Sequence, residues 1–195
     1  MTFRAMTLFL AALFASQVAT TAVSFADGKK GKEKSTEVKL EAELMPALEV
    51  FGDGKAHYKK KTGKKGSEER FKGKVEFPVL DAATAEGLVF EMHLARGGTD
   101  YAVCVLLIKE IEYKYEAENP VPVAIEAEYV VDVSQRTPLS GSPTLKQKVG
   151  SCLVGGVAGV PAVQELDTAT VFQQGFASTL LTGQFVAHSG HDDDD

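Results

Sequence analysis

The chain has 195 residues, a formal net charge of −6 and no tryptophan, and its charge is unevenly spread. Fourteen of the 21 basic residues lie between Asp27 and Pro78 against ten acidic ones, whereas 17 acidic and six basic residues follow from Val79 onward. The body is therefore mildly acidic, which argues against a general nucleic-acid binder.

The N-terminus reads as a cleavable export signal. Arg4 supplies a positive start, and Ala5–Ala15 is an apolar stretch well short of the about 20 residues that span a bilayer. Ser16–Ala26 is rich in small residues and ends Ser24-Phe25-Ala26, so cleavage is expected after Ala26 or, as a second choice, after Ala22. No cysteine lies near the cleavage region and no later segment reaches transmembrane length. The expectation is a secreted or periplasmic protein without a membrane anchor once the signal is removed. The remaining chain, about 170 residues, suits one domain with a sizeable core or two very small ones.

Residues 27–36 (DGKKGKEKST) are charged and lack apolar anchors, as in a flexible leader. Periodicity then changes to two. Val38, Leu40, Ala42 and Leu44 alternate with Lys39, Glu41 and Glu43, the pattern of a strand with one face on a core and one in water, and Pro46 ends it. Gly54–Lys60 and Arg70–Val79 read as two further strands, joined by a charged connection, Lys61–Glu69, that contains Gly63 and Gly66. Asp81–Glu86 fits a helical turn capped by Asp81 and stopped by Gly87. Leu88–Leu94 alternates again, with Leu88, Phe90, Met92 and Leu94 on one side.

Tyr101–Ile108 is apolar on both faces, so it reads as a central strand. Its continuation, Glu110–Glu116, returns to alternation and predicts Ile111, Tyr113 and Tyr115 inward. Asn119, Pro120 and Pro122 mark a turn before a strand over Ala124–Ser134. A loop over Thr137–Pro143 follows, then a strand over Thr144–Val154 interrupted by Gly150 and a glycine-rich turn over Gly155–Pro161. Thr168–Phe172 and Ser178–Val186 close the domain as a hairpin with Gln173–Gly175 at its tip. The expected fold is all-β: a single antiparallel β-sandwich or Greek-key barrel of about eight to ten short strands over residues 37–187.

Several of these segments resemble a loose group of exported bacterial all-β proteins to which no reaction is assigned. The similarity rests on Val38-Lys39-Leu40-Glu41-Ala42, Gly54-Lys55-Ala56-His57-Tyr58 and Arg70-Phe71-Lys72-Gly73-Lys74-Val75-Glu76. Gly98-Thr99-Asp100-Tyr101-Ala102-Val103, Val160-Pro161-Ala162-Val163 and Leu180-Leu181-Thr182-Gly183-Gln184-Phe185 extend it, with a departure between about Lys109 and Gly156. The group is similar to CHRD-type, chordin-like β modules, although their Ala-His-Ile-His signature is absent here. The resemblance implies an all-β fold and no reaction.

Candidate chemistry is sparse. Cys104 and Cys152 each sit in an apolar run, as two buried thiols would. In an exported chain they can equally form a disulfide, which would close a loop of about 48 residues and stabilise the fold by roughly 4 kcal/mol. The tail, residues 188–195, carries His188, His191, Asp192, Asp193, Asp194 and Asp195. Imidazoles suit zinc, copper or nickel and clustered carboxylates suit calcium or magnesium, so the tail reads as either a divalent-metal ligand set or a solvated acidic end.

Lys59, Lys60, Lys61, Lys64 and Lys65 form a dense basic run on an expected hairpin tip. It reads as a solvated turn or as an anion-binding loop for an anionic polysaccharide, an envelope surface or a protein. The spacing of a phosphate loop is missing. His57 and His93 fall inside strands, and Glu91 shares a strand face with His93. Glu41/Glu43, Glu110/Glu112 and Glu126/Glu128 read as outward rows of half-buried strands rather than paired catalytic acids. With no nucleophile elbow and no thiol-protease cysteine setting, the sequence points to a non-enzymatic binding or structural module. A metal-binding protein using the tail and a hydrolase using His93 are the alternatives.

Overall fold

Inward-facing apolar side chains at every second position build the molecule, and alternation begins where the sequence places it. The computed structural model describes residues 35–47, 51–116, 121–122 and 124–188. The export signal, the leader up to residue 34, the Asn119-Pro120 turn and the tail beyond His188 lie outside the described residues. Twelve strands and one short helix follow in order: β1 (Thr36–Pro46), β2 (Asp53–Gly63), β3 (Gly66–Pro78), α1 (Ala82–Gly87), β4 (Phe90–Arg96), β5 (Thr99–Lys114) and β6 (Ala124–Pro138). The remainder are β7 (Thr144–Val149), β8 (Ser151–Val154), β9 (Val157–Ala158), β10 (Thr168–Gln173), β11 (Thr179–Gln184) and β12 (Val186–Ala187).

Eight strands close into an antiparallel barrel in the order β1-β2-β3-β6-β5-β4-β10-β11 and back to β1. β4, β5 and β6 form a meander that returns β6 beside β3, which is Greek-key connectivity. Of the two architectures the alternation allows, the chain thus adopts the barrel. An eight-stranded barrel is just wide enough for side chains to fill, and these do: Leu40, Leu44, Phe71, Val75, Met92, Leu106, Val131 and Phe185 are all buried inside. Gly73 has no side chain because Met92 crosses it. A Cβ there would lie 2.9 Å from the Met92 methyl carbon.

The ends are closed by different means. At one, α1 starts at Asp81, whose carboxylate accepts the Thr84 N–H, and its Ala85 carbonyl accepts the Tyr129 hydroxyl at 2.9 Å. Phe90 packs between Phe77 and Tyr129 beneath it. At the other, Asp167, 2% exposed, accepts both Nε and Nη2 of Arg96 at 2.8 Å, the Tyr101 hydroxyl at 2.9 Å and the Gln164 N–H at 2.8 Å. Burial raises the Asp167 pKa, but these donors outweigh it and hold the carboxyl below its ordinary value.

Cys104 and Cys152 form a disulfide, directly opposite each other on β5 and β8 with an S–S distance of 2.05 Å. Gly150 separates β7 from β8 at a positive φ of 63°, and its α-carbon passes so close to Val105 that a Cβ would lie 2.2 Å from that carbonyl. That corner lets β7 pair with β6 while β8 pairs with β5.

Three expectations are corrected. The strands are not all short, since β5 and β6 run 16 and 15 residues. Tyr113 and Tyr115 are 45% and 59% exposed rather than inward, because β5 shifts register between Ile108 and Glu110 and its end runs beyond the barrel core. The β2–β3 connection is only Lys64-Lys65, because both strands continue through the charged stretch to pair Gly63 with Gly66.

Candidate functional site: a cationic barrel face and two histidine clusters

Because Tyr58, Phe71 and Val133 point inward in one register line, the residues beside them on β2, β3 and β6 point outward in lines of their own. One line runs Lys39, Lys59, Arg70, Ser134, Lys146 across β1, β2, β3, β6 and β7. The line nearer the tip runs Glu37, Lys61, Glu68, Arg136, Thr144, and the one further from it runs Glu41, His57, Lys72, Asp132. Lysines and arginines from five strands thus share the outer face with a minority of carboxylates. At its tip Lys61, Lys64, Lys65, Ser67, Glu68 and Arg136 surround an open depression.

The five lysines of the basic run do not act as one loop. Lys59, Lys60 and Lys61 belong to β2, and only Lys64 and Lys65 form the tip. Lys59 lies 2.8 Å from Glu37, which holds the Glu37 carboxyl below its ordinary range, and Lys60 faces the other way, 2.6 Å from Glu69. Among the described residues Lys61 and Lys65 have no carboxylate within 4.0 Å. Arg70 makes a bidentate pair with Asp132 at 2.9 and 2.6 Å, and Lys148 stands 3.8 Å from the same carboxylate. Burial raises the Asp132 pKa, and Arg70 first among its cationic neighbours overrides that and lowers it.

Sequence reading located the tip but not Arg70, Lys72, Arg136, Lys146 or Lys148 as members of one surface. The signal for two of them was present: Arg70 and Lys72 alternate with buried Phe71 and Gly73. Their union with Arg136 and Lys146 depends on β3–β6–β7 pairing, which no local pattern encodes.

The described histidines fall into two clusters. His93 points outward from β4, with its Nδ1 2.8 Å from an Asp100 oxygen and its Nε2 3.5 Å from Glu91. A base aimed at a nucleophile needs one ring nitrogen free to face a hydroxyl or thiol. Here both face carboxylates, so the cluster holds the orienting half of such an arrangement without the reacting half.

The second cluster lies on β2, β1 and β12. His188 is the one member of the tail set within the described residues; His191, Asp192, Asp193, Asp194 and Asp195 lie outside them. Its Nδ1 is 3.0 Å from Glu41 Oε2, its main-chain N–H donates to the Lys39 carbonyl, and His57 Nε2 lies 3.9 Å from Glu41 Oε1. Burial holds the His57 imidazole below its ordinary pKa against the pull of Glu41. Among the described residues no group of three or more His, Cys, Asp or Glu side chains could hold a metal ion. No helix of the described residues is long and apolar enough to cross a membrane. Comparison of the chain with family models, curated proteins and solved structures finds no match.

Proposed function

We propose that the protein is an exported, non-enzymatic β-barrel module of the envelope or extracellular space that binds an anionic polysaccharide through the outer face of β2, β3, β6 and β7. The observation that supports this most is the cross-strand alignment of Lys59, Arg70 and Lys146 behind the Lys61–Lys65–Arg136 tip. Neighbouring strands stand about 4.8 Å apart, so the five-strand line from Lys39 to Lys146 spans about 19 Å. That length suits successive charges of a linear polymer better than one small anion. Among the described residues the opposite flank, with Glu91, Asp100 and Asp167, has no such excess of cations, which favours the β2–β3–β6–β7 face for a polyanion. A closed barrel filled by its own side chains leaves outer surfaces and loops to make contacts.

The test is retention on immobilised dextran sulfate and polygalacturonate, with neutral dextran as control. Retention on the charged matrices that is lost in the Lys61→Glu, Lys65→Glu, Arg136→Glu variant and in about 0.5 M salt is expected. Equal retention on neutral dextran, or no effect of the triple variant, would overturn the reading. Export rests on the sequence of Met1–Ala26. Protein recovered outside the cytoplasm should begin at Asp27 or, by the second choice, Val23 on N-terminal sequencing.

A further inference from the structure

We propose that the open edge of β5 over Glu110–Lys114 pairs antiparallel with the same edge of a second copy of this chain, making a two-fold dimer. β4 and β6 take opposite edges of β5, and the pairing with β4 ends at Leu106. Beyond that point, among the described residues, β5 pairs with β6 alone. The main-chain groups left over follow from the pairing of β6. The Val79 N–H donates to the Ile125 carbonyl, so Ile125 turns its main chain toward β3, and Ala124 and Glu126 turn theirs toward β5. Their partners on β5 are Lys114 and Glu112, so Ile111 and Tyr113 direct their N–H and C=O groups to the open edge.

This edge is complementary to itself. With Glu112 on the two-fold axis, Ile111 of each copy stands opposite Tyr113 of the other, and the outward N–H and C=O groups meet as hydrogen-bonded pairs. On one face isoleucine then covers tyrosine twice, and Tyr113, exposed in the single chain, gains a partner. On the other face Glu110 meets Lys114 of the second copy twice, opposite charges directly across. Slipping the register either way sets Glu110 against Glu112 or Glu116 instead, so charge favours this pairing. One like-charge contact, Glu112 with its own copy, remains at the axis. The register shift between Ile108 and Glu110 bounds the regular edge on the side of the barrel body. Because the end of β5 runs beyond the core and the pairing is antiparallel, the two barrels point away from each other. None of these residues belongs to the cationic face.

Sedimentation velocity of the exported protein over about 5–500 µM tests the pairing, and a monomer–dimer equilibrium within that range is expected for so small an interface. Tyr113→Pro removes an N–H that serves only the open edge, so dimerisation should weaken at least about tenfold while the melting curve at the lowest concentration stays at the parent's. Tyr113→Lys keeps that N–H but sets a charge against Ile111 of the second copy, and a loss of about tenfold is expected here too. Glu112→Gln removes the like-charge contact at the axis and should tighten the dimer about twofold to fivefold. A chain that stays monomeric throughout, a dimer indifferent to Tyr113→Lys, or one weakened by Glu112→Gln would each overturn the proposal. A dimer abolished instead by Lys61→Glu, Lys65→Glu, Arg136→Glu would overturn it as well and assign the association to the cationic face.

Discussion

The barrel carries two bidentate arginine–aspartate pairs that look alike in distance and differ in setting. Arg96–Asp167 closes one end, with the aspartate also accepting from Tyr101 and a main-chain N–H, and with the guanidinium 5.0 Å from the Tyr101 ring centroid. Arg70–Asp132 lies on the outer face among Lys72 and Lys148, with Asp132 itself buried at 8% exposed, and among the described residues its partners are cations. In the first pair the carboxylate organises the loop before β10. In the second it offsets the positive charge of a surface. Similar bonds therefore carry different consequences: removing Asp167 takes one shared acceptor from Arg96, Tyr101 and the Gln164 N–H at once, whereas removing Asp132 takes an acceptor from Arg70.

Cysteine replacement tests the most strongly closed part of the structural flank. Cys104→Ala, Cys152→Ala should lower stability by about 4 kcal/mol, read by urea unfolding, with dextran sulfate retention unchanged. Asp167→Asn should cost about 3 kcal/mol, because it weakens several charge-assisted bonds in a buried setting, and should likewise leave retention unchanged. Asp132→Asn should cost less, about 2 kcal/mol, because among the described residues the buried Asp132 accepts hydrogen bonds from Arg70 alone, while strengthening retention, since Arg70 is then free to meet the polymer. Equal destabilisation by the two aspartate variants would erase the distinction between the pairs.

Acid sharpens the same comparison. Both aspartates have folded-state pKa values below the ordinary 3.8, so the unfolded chain binds more protons as pH falls. Their stabilisation is present above that value and is lost as pH drops through the lower folded-state values. The melting temperature should therefore be insensitive to these groups at neutral pH and decline in strong acid, and Asp167→Asn should flatten part of the decline. The smallest expected effect is from Lys60→Gln, which breaks an ion pair with Glu69 near the barrel mouth. A loss below about 1 kcal/mol is expected by thermal melting.

Much of the fold was legible in single segments. Alternation identified β1 and β4, and richness in Val, Ile and Tyr marked most of β6; the Asp81 cap and Gly87 delimited α1, and Gly150 marked the break between β7 and β8. These are properties of neighbours in the chain: a period of two, a capping carboxylate, a glycine that tolerates positive φ. The stretch 61–69 misled for a related reason. Its charges resemble a loop, yet pairing with β1 and β6 holds Lys61 and Glu68 in strands whose outward faces tolerate charge.

The sequence by itself determined an all-β chain, most of its inward and outward residues, Tyr113 and Tyr115 apart, and the basic character of the β2–β3 segment. Only the tertiary structure decided between sandwich and barrel, paired Cys104 with Cys152, joined Arg136 and Lys146 to the lysine tip, and set His57 beside Glu41 and His188. The physical reason is that alternation fixes which face a side chain occupies but says nothing about which strand lies alongside. That choice is made by closure of the barrel and by how side chains such as Met92 over Gly73 fill its interior, contacts between residues far apart in the chain.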